Sequence, residues 1–286
     1  MDKLPVGVFT SVDAGLGVKF DVVRELGVKT IQLHAPKRES RTHEMAMNFL
    51  YKLKENDIKL TTVFLGFEGE SYATIAEAAE TVGLVPPKTR AARLIEAFEI
   101  SDFAKLLGAA SIGSHIGFVP HDRRSQEYAS VVETVRSLCK YFKKKSQSLN
   151  LETGQESVES LLMFIDDVAC DNLFVNFDPA NLILYGIGNP LEALRKVGRR
   201  VRGVHCKDAV KTTGTPGVDW GREVPFGQGE VDAENFIKTL YQIGYQGALT
   251  IEREIPQEPE RQRKEIGETV RLIEDIKTRV AKQLVT

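Results

Sequence analysis

Residues 172–186 read Asn-Leu-Phe-Val-Asn-Phe-Asp-Pro-Ala-Asn-Leu-Ile-Leu-Tyr-Gly. Leu173, Phe174, Val175 and Phe177 form a short apolar run with strand character. The run stops at Asp178, and Pro179 cannot donate a hydrogen bond to a continuing ladder. A carboxylate therefore stands at the C-terminal end of a buried strand. Asp before Pro also caps turns, so this stretch alone leaves two readings of Asp178 open, a turn cap and a functional carboxylate.

The same grammar recurs outward along the chain. Apolar runs at residues 6–9, 30–34, 58–65, 111–115, 149–151, 201–204 and 248–251 have strand character. Helical spacing of apolar residues marks 20–26, 42–55, 89–107, 125–146, 158–168, 190–197, 233–243 and 260–283, with a shorter helix around 72–80. Gly27, Gly108 and Gly244 stand where helices close. Residues 207–230 read as a long, polar, glycine-rich loop. Alternation of strands and helices implies a parallel sheet covered by helices. Eight such units in 286 residues fit the α/β class as a (β/α)₈ barrel, typically about 250 residues long. We therefore expect one domain over residues 1–286. An open doubly wound sheet would carry a phosphate-binding G-x-G-x-x-G turn after its first strand. Residues 11–17 supply only Gly15 and Gly17.

Composition narrows the function classes. The chain is 42% hydrophobic and 27% charged, ordinary for a globular protein. A formal net charge of −2 gives no general attraction to polyanions, so no nucleic acid partner is expected. The three cysteines, Cys139, Cys170 and Cys206, are odd in number and widely spaced, which disfavours a disulfide framework or a thiolate metal site. No run approaches the roughly 20 apolar residues of a membrane span. The N-terminus lacks the apolar stretch of a secretion signal. These features point to a cytoplasmic protein with no membrane partner, and they leave room for a homo-oligomer.

In a barrel, the C-terminal ends of the strands converge on one mouth. Glu152, Asp178, His205 and Glu252 each follow an apolar run there, on strands five to eight. Three carboxylates at close quarters repel one another and raise each other's pKa, and a divalent cation removes that penalty. Two Glu, one Asp and one neutral His make an O₃N set suited to manganese, magnesium or cobalt, with zinc acceptable. Singly, each residue has a plainer account: a Glu after a strand caps the next helix, and a buried His is satisfied by neighbours.

Five segments extend the pattern: 151–156 (Leu-Glu-Thr-Gly-Gln-Glu), 177–182 (Phe-Asp-Pro-Ala-Asn-Leu), 204–209 (Val-His-Cys-Lys-Asp-Ala), 224–232 (Val-Pro-Phe-Gly-Gln-Gly-Glu-Val-Asp) and 249–254 (Leu-Thr-Ile-Glu-Arg-Glu). Taken in order they resemble the xylose isomerase-like TIM barrel superfamily, within it the sugar phosphate isomerase/epimerase group that includes ketose 3-epimerases. The resemblance implies one divalent metal bound by Glu152, Asp178, His205 and Glu252. It also implies that Glu152 and Glu252 act as an acid/base pair on opposite faces of a sugar or sugar phosphate. Proton abstraction next to a carbonyl, through an enediolate stabilised by the metal, would give epimerisation or isomerisation. Glu254 competes with Glu252 for the last position. Two departures stand out. Ketose 3-epimerases carry a substrate-binding His where this chain has Asn181, and an Arg where it has Lys211.

Further substrate contacts are expected from His34 and His115 at strand ends, from Glu156 at a family position, and from Asn181 and Lys207. Asp208 orients a neighbour or caps a turn. Trp220 and Phe226 form a lid or simply pack the long loop onto the rim. Gly227, Gly229 and Gly247 lie where barrels often bind phosphate. Alternatives within the superfamily are a dehydratase of an inositol- or sugar-derived ketone and a non-catalytic sugar-binding barrel. A DNA-repair endonuclease would need several metals and more histidines than the five present.

Overall fold

Eight apolar runs pair edge to edge, all in parallel, and close on themselves. They are β1 (Val6–Thr10), β2 (Thr30–His34), β3 (Lys59–Phe64), β4 (Ser111–Ser114), β5 (Ser148–Glu152), β6 (Leu173–Phe177), β7 (Val201–Cys206) and, after two short strands outside the barrel, β10 (Leu249–Ile251). The order around the barrel follows the sequence, with β7 beside β10 and β10 beside β1. This is the expected (β/α)₈ barrel. The computed structural model describes residues 4–285. Residues 1–3 and 286, which belong to the N-terminal reading and to the expected 1–286 domain, lie outside the described residues.

Helices cover the barrel because each buries one apolar face. The helix Gln126–Lys143 sends Val131, Val135, Leu138 and Phe142 inward, and Val158–Val168 sends Leu161, Phe164 and Ile165. Ser125 and Ser157 start these helices by accepting the N–H groups of Tyr128 and Ser160. Among the described residues, no helix is long and apolar enough to cross a membrane.

Three local features were not predicted. First, a helix begins directly after β6, over Pro179–Leu184. Pro179 ends the strand as expected, but its fixed φ and missing N–H also suit the first turn of a helix. Secondly, pairing slips by one residue at two places: Thr61 of β3 is left over opposite Ile31 and Gln32, and Arg202 of β7 opposite Val175 and Asn176. Such irregularities re-aim side chains, and they gather near active sites. Thirdly, the stretch 207–230, read as a polar loop, contains an antiparallel pair, β8 (Asp208–Val210) and β9 (Arg222–Val224). Three residues per strand are too few to show a period.

Asp208 anchors that excursion. Its carboxylate accepts the backbone N–H groups of Ala209, Gly227, Gly229 and Val231 at 2.9–3.1 Å. The amides of Gly227 and Gly229 are therefore committed to an internal carboxylate. Gly247 packs against the Tyr245 ring. The fold thus predicts that Asp208→Ala destabilises the protein by about 3 kcal/mol, because four N–H groups, two in buried and two in part-buried bonds, lose their acceptor. Urea denaturation measures the loss, and hydrogen exchange should place the loosening in residues 207–231.

Candidate metal centre

The end of β6 shows how one residue serves two purposes. Asp178 Oδ1 accepts the N–H groups of Ala180 and Asn181, at 2.8 and 3.2 Å, and so caps the helix Pro179–Leu184. Its Oδ2 is buried and has no hydrogen-bond partner. That oxygen lies 3.6 Å from His205 Nδ1. Glu152 Oε1 approaches the same nitrogen to 2.8 Å, and Glu252 Oε2 to 2.9 Å. One ligand atom from each of Glu152, Asp178, His205 and Glu252 lies within 4.8 Å of all the others. Glu254, the competing glutamate, is outside this group. It sits at the rim, 69% exposed, and accepts from Lys207.

The His205 ring is held on three sides. Phe9 and Phe64 pack against it, with ring centroids 5.9 and 5.3 Å away. Its Nε2 lies 2.7 Å from Gln32 Oε1. Gln32 Nε2 donates to Asn176 Oδ1 at 3.2 Å, so the Gln32 carbonyl faces His205 and takes the proton on Nε2. Nδ1 has no hydrogen bond of good geometry, despite two carboxylate oxygens at 2.8 and 2.9 Å. Lone pairs of like sign at that range need a positive charge between them.

The titration behaviour has the same cause. Burial pushes the Glu152 carboxyl up to about 7, with the Glu252 and Asp178 charges adding and His205 opposing. Burial alone would lower His205, but the surrounding carboxylates drive it well above its usual value. Glu252 is buried too, yet His205 and Lys207 hold it below the ordinary carboxylate range. Without a metal, the proton on Nδ1 is the cluster's cation. A divalent ion bound at Nδ1 would take that role, and Lys207, 3.5 Å from Glu252 Oε2, offsets the remaining negative charge. Three carboxylates and one imidazole nitrogen fit a hard or borderline divalent cation.

Above the cluster opens a cavity of about 1120 Å³. His34, His115, Asn181 and Lys207 line it together with Glu152 and Glu252. His34 Nδ1 donates to Ala35 O at 2.9 Å, leaving Nε2 as the acceptor, and burial keeps the ring neutral. Burial also pushes His115 down to about 4 against an opposing contact with Gln155, and neither of its nitrogens makes a hydrogen bond of good geometry. Asn181 Nδ2 donates to Thr153 O. Lys207 is 5% exposed among Glu252, Glu254 and Glu223. Tyr72, Tyr185 and Trp220 form an aromatic wall, with Tyr185 and Trp220 at 4.7 Å between ring centroids. Phe226 instead lies in the core beside Phe236.

Two residues stand elsewhere. Lys211 is on the surface, paired with Glu230 at 3.1 Å. Glu156 borders a separate cavity of about 10 Å³ behind Glu152, with His115, Leu161 and Phe164. That volume suits one water molecule. The sequence reading missed Gln32, Glu223 and Arg253. Gln32 had a visible signal, a polar residue of the same parity as His34 inside a barrel strand. Arg253 Nη1 donates to Glu223 Oε1 at 2.7 Å, a contact made only when β9 folds back.

Over residues 20–276 the chain matches the family described as xylose isomerase-like TIM barrel. It is similar to the xylose isomerase domain protein from Planctomyces limnophilus. That crystal structure superposes with a TM-score of 0.95 at 50% identity, covering 98% of this chain and 100% of that one. Two curated relatives match over shorter segments. A putative L-ribulose-5-phosphate 3-epimerase from Escherichia coli is 40% identical over 77 residues, 26% of each chain. An inosose dehydratase from Clostridium botulinum is 32% identical over 118 residues, 37% of this chain and 38% of that one. The chain thus spans well under half the length of the curated relatives it matches.

Burial pushes the Glu156 carboxyl up to about 7 from 4.5. Between those values the folded state keeps a proton that the unfolded chain has released, so this group's contribution is full at low pH and lost as pH rises through 7. Glu156→Gln should therefore flatten the fall in Tm between pH 5 and pH 8. Parallel Tm curves for the two proteins would contradict this.

Proposed function

The chain belongs to the xylose isomerase-like TIM barrel family, and on that premise we propose that it is a divalent-metal-dependent isomerase or epimerase of a sugar or sugar phosphate. The observation that carries the proposal is the convergence of Glu152, Asp178, His205 and Glu252 on one point at the floor of a sugar-sized or larger cavity. A metal held by these four residues would supply Lewis acidity toward a carbonyl and its neighbouring hydroxyl. Manganese, magnesium and cobalt suit the donor set, and zinc is acceptable.

The protein's own groups do the rest. Glu152 and Glu252 come from β5 and β10, with β6 and β7 between them, so they flank the site from two sides. One removes a proton from the carbon next to the carbonyl. The other delivers a proton of its own, to the opposite face of that carbon or to its neighbour, and both groups re-equilibrate with solvent. His34 offers an acceptor to a substrate hydroxyl, Asn181 and His115 add neutral polar contacts, and the Lys207 ammonium stabilises developing negative charge. Glu156 faces the smaller cavity and is left out of the substrate contacts. The aromatic wall suits the apolar faces of a sugar ring and helps to exclude water.

A second reading is favoured by the similarity to an inosose dehydratase over 118 residues. The same proton abstraction followed by loss of a neighbouring hydroxyl gives dehydration. Two positions bear on the choice. Asn181 can bond a hydroxyl but cannot carry charge, and Lys211 lies at the surface paired with Glu230. Both weaken a free-ketose 3-epimerase assignment and leave the metal residues untouched.

The test is wash-in of solvent deuterium at the substrate carbon, over a panel of ketoses, their phosphates and cyclic inositol-derived ketones. Glu152→Gln and Glu252→Gln should each slow exchange by about 10²–10⁴-fold. Product mass separates the readings: unchanged for isomerisation or epimerisation, lower by one water for dehydration. Undiminished exchange in either variant would remove the acid/base assignment. Chelator-treated protein should lose exchange and recover it when manganese, magnesium or cobalt is returned.

A further inference from the structure

We propose that Gln32 is a positioning residue for the metal centre: it holds the proton of His205 on Nε2 and so presents Nδ1, bare, to the cation. The inference rests on the metal reading above but concerns a residue that touches neither cation nor substrate.

Gln32 is buried at 2% exposure and does not line the large cavity. Its Oε1 lies 2.7 Å from His205 Nε2, a strong hydrogen bond by distance. An amide can present either end, and a donor facing Nε2 would move the ring proton to Nδ1, where it would block metal binding. In the structure the carbonyl end faces His205 and the amide end goes to Asn176. Asn176 is fully buried, and its Oδ1 accepts from Gln32 Nε2. Gly203 makes room for Asn176, since a Cβ there would overlap Asn176 Oδ1.

The backbone is shaped to this chain of contacts. Gln32 and Asn176 each pair just past a shift in register, where Thr61 of β3 and Arg202 of β7 are the residues left over. Phe9 packs against the imidazole edge-to-face and Phe64 at a tilt, which restrains the ring while Gln32 holds its protonated edge. A neutral imidazole whose far N–H is held by a carbonyl is both correctly oriented and a better donor at its near nitrogen.

The test compares Mn²⁺ affinity by calorimetry in wild type, Gln32→Leu and Gln32→Glu. It adds the ¹H–¹⁵N spectrum of the imidazole groups in metal-free and Mg²⁺-loaded protein. Leucine removes the acceptor and should weaken Mn²⁺ binding by about 10–100-fold. Glutamate keeps an acceptor, and Asn176 can turn its unpartnered Nδ2 toward it. Gln32→Glu should therefore bind Mn²⁺ within about threefold of wild type, a conservative rescue of the roughly 10–100-fold loss. The wild-type spectrum should show a slowly exchanging Nε2–H resonance of His205, lost in Gln32→Leu and kept in Gln32→Glu. Wild-type affinity in Gln32→Leu, or equal loss in both variants, overturns the assignment to Gln32. Absence of the wild-type resonance overturns it even if a variant does not fold. A wild-type protein that takes up no Mn²⁺ overturns the metal reading itself.

Discussion

Three carboxylates and an imidazole nitrogen facing one point cannot coexist without a positive charge among them. Glu152 and Glu252 oxygens approach His205 Nδ1 to 2.8 and 2.9 Å, in a pocket where little water screens them. The scaffold must supply enough rigidity to hold that arrangement against its own repulsion. A closed barrel does so because the four residues come from strands whose backbones are tied in one continuous ladder. β5 to β6 and β6 to β7 are direct neighbours, as are β7 and β10, so Glu152 and His205 stand within paired strands and Asp178 and Glu252 one residue beyond them.

Several groups reduce the strain. Asp178 commits one oxygen to the helix Pro179–Leu184 and only the other to the cluster. Lys207 is buried at the price of its hydration but finds three glutamates. It places a permanent positive charge at the edge of the site, at the root of the excursion that Asp208 ties down one residue later. The charged cluster at the strand ends and the β8–β9 pair are therefore joined through adjacent residues.

The barrel and the cluster were legible in the sequence because both depend on position along strands. An apolar run that ends on a charged residue, repeated on four consecutive strands, identifies Glu152, Asp178, His205 and Glu252 without coordinates. The preference for Glu252 over Glu254 rested on the end of one run, and Glu252 is the residue within the cluster. What was not legible depends on contacts between distant segments. Gln32 lies 173 residues from His205 and 144 from Asn176, and slips in register leave no trace in composition. Glu156 has the right spacing for the mouth, but the turn after β5 directs it to the small cavity behind Glu152. The glycines at 227 and 229 looked like an anion site, and their amides do bind an anion, the carboxylate of Asp208.

The central claim is that one divalent cation sits where these four side chains meet. Anomalous diffraction from crystals grown with Mn²⁺, recorded at the manganese edge, tests it most directly. A single strong peak is expected, bonded to carboxylate oxygens of Glu152, Asp178 and Glu252 and to Nδ1, not Nε2, of His205. No peak at that point, or manganese found only elsewhere on the protein, would contradict it.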